Sequence, residues 1–185
     1  MNQHPVLAFN GYSLYALQPE HIEAFHHLVT KNRDRLASFF AGIVKQTGSK
    51  EATMEFLQGV KQKQAEKLYL PFILCEDKQE EILCFLDIKN IDWNIPKAEL
   101  GCFTDVDSAG KKLTQQALQQ FVTYCFQELG FLKLFLRTHE QNAAARSIAE
   151  KCGFEQEGKI RKDYKSTSGE VIDLLYYGQV NPNVS

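Results

Sequence analysis

Gln141–Tyr164 reads QNAAARSIAEKCGFEQEGKIRKDY. Ala145, Ile148, Ala149 and Cys152 stand at i, i+3, i+4 and i+7, which predicts a short helix over Asn142–Lys151 with a face of mostly small apolar side chains. A face of that kind lets the helix backbone lie close to a sheet or a ligand. Gly153 suits a left-handed helix C-cap, and Phe154 then starts the next element inside the core. The polar stretch that follows reads as a strand to Tyr164, and Val171–Gln179 as its partner.

Working outward, Leu132–Arg137 alternates as a strand does. Before it, Leu113, Ala117, Leu118, Phe121, Val122, Cys125 and Leu129 form the broad stripe of an amphipathic helix that Gly130 closes. In the first half, Tyr12–Leu17 is β-prone. Pro19 opens a helix with Glu20 and Glu23 in its first turn and Ile22, Phe25, Leu28 and Val29 on its inner face. A second helix is expected over Lys50–Leu68. Phe72–Cys75 and Ile82–Ile88 read as strands around a polar turn at Asp77–Glu80, with another strand at Ala98–Thr104. Two early helices, a meander, then β-α-β-α-β-β imply a mixed three-layer α/β/α domain.

A chain of 185 residues is most economically one domain. With 44% hydrophobic and 24% charged residues, it has the composition of an ordinary soluble globular protein. A net charge of −2 argues against a general nucleic-acid binder, which needs a basic field. No apolar run is long enough for a membrane span, and the polar start MNQHPV lacks the layout of a signal peptide. Cys75, Cys84, Cys102, Cys125 and Cys152 are odd in number, and none forms a CxxC pair. That pattern fits reduced thiols in a cytoplasmic protein better than disulfides or a zinc site.

The order Asn142, alanine-rich helix, Cys152-Gly153-Phe154 resembles the acyl-CoA-binding helix of the GNAT superfamily, and most of all the Rim-type acetyltransferases that modify N-terminal amines of ribosomal proteins. The resemblance implies a GNAT-like fold with a central, mostly antiparallel sheet. It also implies acetyl-CoA as co-substrate, no metal, and a primary amine as acceptor: a protein N-terminus or a small amine. Transfer would go by direct attack on the thioester. Many members of the superfamily dimerise through edge strands, so the resemblance also allows a homodimer.

A diphosphate needs converging donors, and unpaired N–H groups at a helix N-terminus supply them. Asp107–Leu113 lies where those donors belong, between a strand and the long helix. The family carries Gln/Arg-x-x-Gly-x-Gly/Ala at this point. Here Ala109, Lys112 and Thr114 occupy the patterned positions and depart from it, and only Gly110 keeps the look of the common form. The implied cradle is Ala109, Gly110, Lys111, Lys112 and Leu113. Lys112 adds a side chain where the backbone must approach phosphates, while Lys111 and Lys112 add positive charge. Asn142 corresponds to the family's pantetheine-binding Asn and equally suits a helix N-cap. Cys102, Phe103 and Thr104 would lend backbone groups along the pantetheine.

Acyl transfer to an amine needs a neutral amine, a polarised carbonyl and a proton for the departing thiolate. A backbone N–H from Gly101–Phe103 can serve the carbonyl. Glu99, on the strand before the loop where several family members carry a catalytic glutamate, is the first choice for the base. Asp105 and Asp107 are alternatives that also suit capping and turn positions. The family's two usual acids are absent: Ala145 stands at the Ser position and Ala149 at the Tyr position. Tyr164 is the remaining phenol able to protonate sulfur, with water as the other source; Ser147 falls on the wrong helical face. Acceptor contacts are expected from Arg33–Phe40 and around Trp93. His26–His27 lacks a metal-ligand spacing, and Lys159, Arg161, Lys162 and Lys165 suit a solvated hairpin face. Two classes stay open: an acetyltransferase, or a weak or inactive GNAT-fold domain that senses CoA or binds other proteins.

Overall fold

The computed structural model of the chain describes residues 4–77, 79 and 81–184. The elements run β1 (Leu7–Phe9), β2 (Tyr12–Ala16), α1 (Ile22–Lys31), α2 (Arg33–Leu36), α3 (Ala41–Gln46), α4 (Lys50–Ala65), β3 (Leu70–Glu76), β4 (Ile82–Asp92) and β5 (Lys97–Thr104). After them come α5 (Leu113–Gln127), β6 (Lys133–Thr138), α6 (Ala143–Lys151), β7 (Glu155–Lys165) and β8 (Val171–Val180). Eight strands make one sheet in the order β1-β2-β3-β4-β5-β6-β8-β7. Every neighbouring pair is antiparallel except β5 with β6. This is the mixed α/β fold with a mostly antiparallel central sheet that the sequence predicts.

Alternation along the strands divides the core into two layers. Cys84, Leu86 and Ile88 of β4 turn to one face, where Leu113, Phe121 and Cys125 of α5 and Ala149 of α6 cover them. Phe85, between them, turns to the other face with Ile73 and Phe103, beneath Phe25 and Val29 of α1, Leu36 of α2 and Leu57 of α4. The small side chain of Ala149, 0% exposed, is what lets α6 sit against the sheet. Gly153 (φ +87°) and Gly130 (φ +74°) end α6 and α5 in the left-handed conformation expected of them. Ser49 caps α4 by accepting from Ala52 N at 3.2 Å.

Three elements go beyond the sequence expectation. β1 pairs with β2 across Asn10 (φ 49°) and Gly11 (φ 81°), a positive-φ pair of the type that closes tight hairpins. The segment Lys31–Gly48, whose sequence is too irregular to predict a helix, contains α2 and α3. These helices are too short to be stable alone, and Arg33 ties them together by donating to Val44 O (3.2 Å) and Thr47 O (2.8 Å). Of the turn at Asp77–Glu80, Lys78 and Glu80 lie outside the described residues, as do Met1, Asn2 and Gln3 of the polar start. No helix among the described residues is long and apolar enough to cross a membrane.

Candidate functional site

The one parallel pair creates the site. β5 and β6 pair only at Lys97↔Lys133, Ala98↔Leu134 and Glu99↔Phe135. Beyond that point β5 stays bonded to β4 as far as Thr104, and β6 to β8 as far as Thr138, while their facing edges part. Backbone N–H and C=O groups on those edges have no ladder partner across the gap, so a ligand with amides of its own can complete the sheet. A cavity of about 450 Å³ fills the split. Its walls include Leu100–Thr104 and Leu136–Thr138, Ala144, Ala145 and Ile148 of α6, Leu36 of α2, and Phe39 and Phe40 of the link from α2 to α3.

The loop before α5 closes one end. Ala109 and Gly110 line the cavity. Gly110 has φ +79°, and a Cβ built there meets nothing within 4 Å, so the backbone lies open to a ligand. Lys112 also has φ > 0 (57°) and occupies the N-cap position of α5 without a side-chain cap. A left-handed lysine costs about 1–2 kcal/mol, which explains why a glycine would suit that position better. Lys111, Lys112 and Leu113 do not line the cavity. The Leu113 side chain is buried in the core, so only its backbone N–H is available toward a ligand. Behind the loop, Thr104 Oγ1 and Thr114 Oγ1 are 2.9 Å apart. Asn32 Oδ1 accepts from Val106 N at 2.9 Å, and Arg35 donates to Thr104 O. Lys31 joins Asp105 (2.8 Å) and Asp107 (2.7 Å).

Asp105 and Asp107 are therefore anchoring groups turned away from the cavity; Asp105 also accepts from Asp107 N at 3.1 Å as a cap. Burial opposes the Asp105 charge, but the Lys31 ammonium outweighs it and holds the carboxyl below its ordinary range. Asn142 lines the cavity and caps α6, its Oδ1 accepting from Ala145 N at 3.2 Å, which leaves its amide N–H₂ free to donate. Cys102 lines the cavity with its Sγ 3.6 Å from Cys84 Sγ, and burial pushes the Cys84 thiol far up. Phe103 packs its ring on Phe40 and Phe85. Successive residues of a strand turn their backbone groups to opposite edges, so one of Cys102 and Phe103 faces the split with its N–H and C=O and the other bonds β4.

Glu99 lies at the point where the strands part and is 4% exposed. Its Oε2 accepts from Asn90 Nδ2 at 2.6 Å and from Arg137 NH2 at 2.8 Å, while Lys89 Nζ stands 3.9 Å from Oε1. Lys89 is held by Asp87 at 3.0 Å, and both side chains lie over Gly101, where a Cβ would come within 2.2 Å of Asp87 Oδ1. Burial works against the Lys89 charge, but Asp87 and Glu99 prevail and raise its pKa. Tyr164 lines the cavity; its hydroxyl accepts from Ala41 N at 2.8 Å, so its own proton remains available to donate.

The structure thus brings Glu99, Tyr164, Cys102, Phe103, Thr104, Ala109, Gly110 and Asn142 to one cavity. It does not bring Trp93 there. That residue sits in the β4–β5 turn at the paired end of the split, stacked on Phe131 with its indole N–H bonded to Lys67 O. His26 meets Thr53 Oγ1 at 2.9 Å, and Lys159 pairs with Glu140 at 2.8 Å, both apart from the cavity. Among the described residues, no cluster of His, Cys, Asp and Glu is arranged to hold a metal ion. Arg35, Lys89, Thr114 and Arg137 line the cavity without having been singled out from the sequence as site residues, Arg35 apart from its membership of the Arg33–Phe40 segment.

A mixed sheet split at its single parallel pair, with a helix N-terminus at one end of the split, is the architecture of the acyl-CoA N-acyltransferase fold. The chain belongs to the GNAT acetyltransferase family: the family's acetyltransferase (GNAT) domain matches residues 13–155. YdaF of Bacillus subtilis (strain 168), provisionally named a ribosomal N-acetyltransferase, is 32% identical over 96 residues, 51% of this chain and 52% of that protein. The match therefore spans about half the length of the curated relative. The fold agrees over more of the chain. RimL, a ribosomal L7/L12 α-N-protein acetyltransferase solved with coenzyme A, has a TM-score of 0.87 at 21% identity, covering 96% of this chain and 98% of its own. The ribosomal-protein-S5-alanine acetyltransferase of Vibrio fischeri has a TM-score of 0.84 at 16% identity, covering 97% and 98%.

Proposed function

We propose that this chain is an N-acetyltransferase that carries an acetyl group from acetyl-CoA to a primary amine, with the N-terminal amine of a protein as the favoured acceptor. One observation supports it above the others: the split between β5 and β6 places unpaired backbone, the open Gly110 loop and a buried carboxylate on one cavity. The likeness to enzymes named for ribosomal-protein N-termini supports the acceptor class.

Acetyl-CoA supplies an activated acyl group. Ala109 and Gly110 with the first N–H groups of α5 would hold its diphosphate, and the parted edges of β5 and β6 with the Asn142 amide would hold its pantetheine. Glu99 accepts a proton from the acceptor amine as the amine attacks the thioester directly. An α-amino group titrates near 8, so that proton is easily given up close to neutral pH. A backbone N–H within Gly101–Phe103 donates to the carbonyl oxygen. Tyr164, whose oxygen is already engaged by Ala41 N, keeps a proton for the sulfur. Ala145 lines the cavity and has no group to give, so this task falls to the phenol.

Thiol release from acetyl-CoA, followed with short peptides bearing free N-termini and with small amines such as spermidine, tests the assignment. The expected result is peptide-dependent release with the acetyl group on the α-amine, read by mass spectrometry. Release with small amines alone would overturn the acceptor class, and none with either would overturn the activity.

A further inference from the structure

Where the backbone ladder between β5 and β6 stops, a side chain continues it. Arg137 lies two residues beyond Phe135, the last paired residue of β6, and its guanidinium reaches across the split to Glu99 Oε2 at 2.8 Å. The same guanidinium meets Asp163 Oδ2 of β7 at 3.0 Å, and Tyr176 of β8 donates to that carboxylate oxygen at 3.1 Å. Tyr176 is the register partner of Arg137, and its ring centroid lies 5.8 Å from the guanidinium carbon. Phe135 also stacks on that ring, centroids 5.8 Å apart. Asp163 belongs to the irregular stretch of β7 between Ile160 and Tyr164, and such bulges re-aim side chains. A planar, forked cation is suited to bridging two carboxylates on different strands.

We propose that Arg137 is a positioning residue for the transfer reaction, holding Glu99 at the apex of the split by one oxygen so that the other receives the acceptor's proton. The assignment rests on Glu99 being the base. Oε2 is taken by Arg137 and Asn90, while the nearest cation to Oε1 stands at 3.9 Å, beyond hydrogen-bonding distance. Arg137 Nε is buried with no hydrogen-bond partner among the described residues. The other two guanidinium nitrogens are spent on holding Glu99 and Asp163 in register across the gap.

The test compares the full-length protein with Arg137→Gln, Arg137→Lys, Asp163→Asn and Glu99→Gln, each by kcat, by KM for both substrates and by the pH dependence of the rate. Arg137→Gln is expected to lower kcat about 10- to 100-fold, the scale of a small misplacement of a catalytic group, with little change in KM for acetyl-CoA. Its pH–rate profile should change, because the guanidinium that faces the carboxylate at 2.8 Å is gone. Arg137→Lys should recover part of both effects, and Arg137→Gln should add little once Glu99→Gln is present. Asp163→Asn removes one anchor and leaves the arginine, so it should give a weaker change in the same direction. It also keeps the proposal testable if Arg137→Gln does not fold. A slow Arg137→Gln enzyme with a lowered melting temperature and an unmoved pH profile would make the arginine structural only and overturn the proposal. If Glu99→Gln alone changes neither rate nor profile, the base assignment falls and this one with it. If Glu99→Gln is slow while the Arg137 and Asp163 variants keep the wild-type profile, the base stands and the positioning role is overturned.

Discussion

Glu99→Gln lowers kcat for acetyl transfer by about 10²- to 10⁴-fold, the usual worth of a positioned general base. The amide keeps the size of the side chain and can still accept from Asn90, so the cavity wall is preserved. It loses the ability to take a proton from the acceptor. It also leaves Arg137 with Asp163 as its remaining carboxylate, and unpairing a half-buried cation lowers stability. A thermal melt must therefore accompany the kinetics. A folded variant with a slow rate and a changed pH profile is the expected outcome. A folded variant with wild-type rate and profile would remove Glu99 from the chemistry and leave it a structural ion-pair partner.

Gly110→Val weakens acetyl-CoA binding about tenfold while leaving the fold intact. No atom stands within 4 Å of where its Cβ would go, so the substitution meets no clash in the free protein. The penalty is conformational: at φ +79° a side chain costs about 1–2 kcal/mol, and a branched one is a particular outlier there. The loop escapes by leaving the left-handed conformation, and binding must force it back, with 1.4 kcal/mol equal to a factor of ten in affinity. Titration calorimetry of the variant beside the wild type checks this. Equal affinities would show that the Gly110 loop is no phosphate cradle. Lys112 already carries such a strain (φ 57°), so the natural loop combines one relaxed and one strained left-handed residue.

Residues whose neighbours in sequence are also their neighbours in space were legible beforehand. The α5 stripe, the small face of α6 and the glycines that end both helices follow from local periodicity and backbone freedom, and all are present. The cavity residues on these elements, Asn142 and Gly110 among them, followed from the resemblance once the elements were placed. β1 was missed although Asn10–Gly11 signals a hairpin, because three residues are too few to show alternation. The helices α2 and α3 were missed because Arg33 and contacts with the core, rather than their own sequence, hold them. Arg137, Lys89 and Asp87 were overlooked for a related reason. A charged residue alternating with apolar ones on a strand reads as a solvent-facing position, and here that face is instead a web of ion pairs crossing β4 to β8. Such pairing depends on register between distant strands, which no local pattern encodes.

Calorimetric titration of the purified wild-type protein with acetyl-CoA tests the central claim most directly. A cradle made of the Gly110 loop, the α5 N-terminus and the parted strands predicts one site per chain with micromolar affinity, about −8 kcal/mol. An absence of binding heat, with thermal melts unmoved by millimolar acetyl-CoA, would contradict it and leave a GNAT fold without its co-substrate.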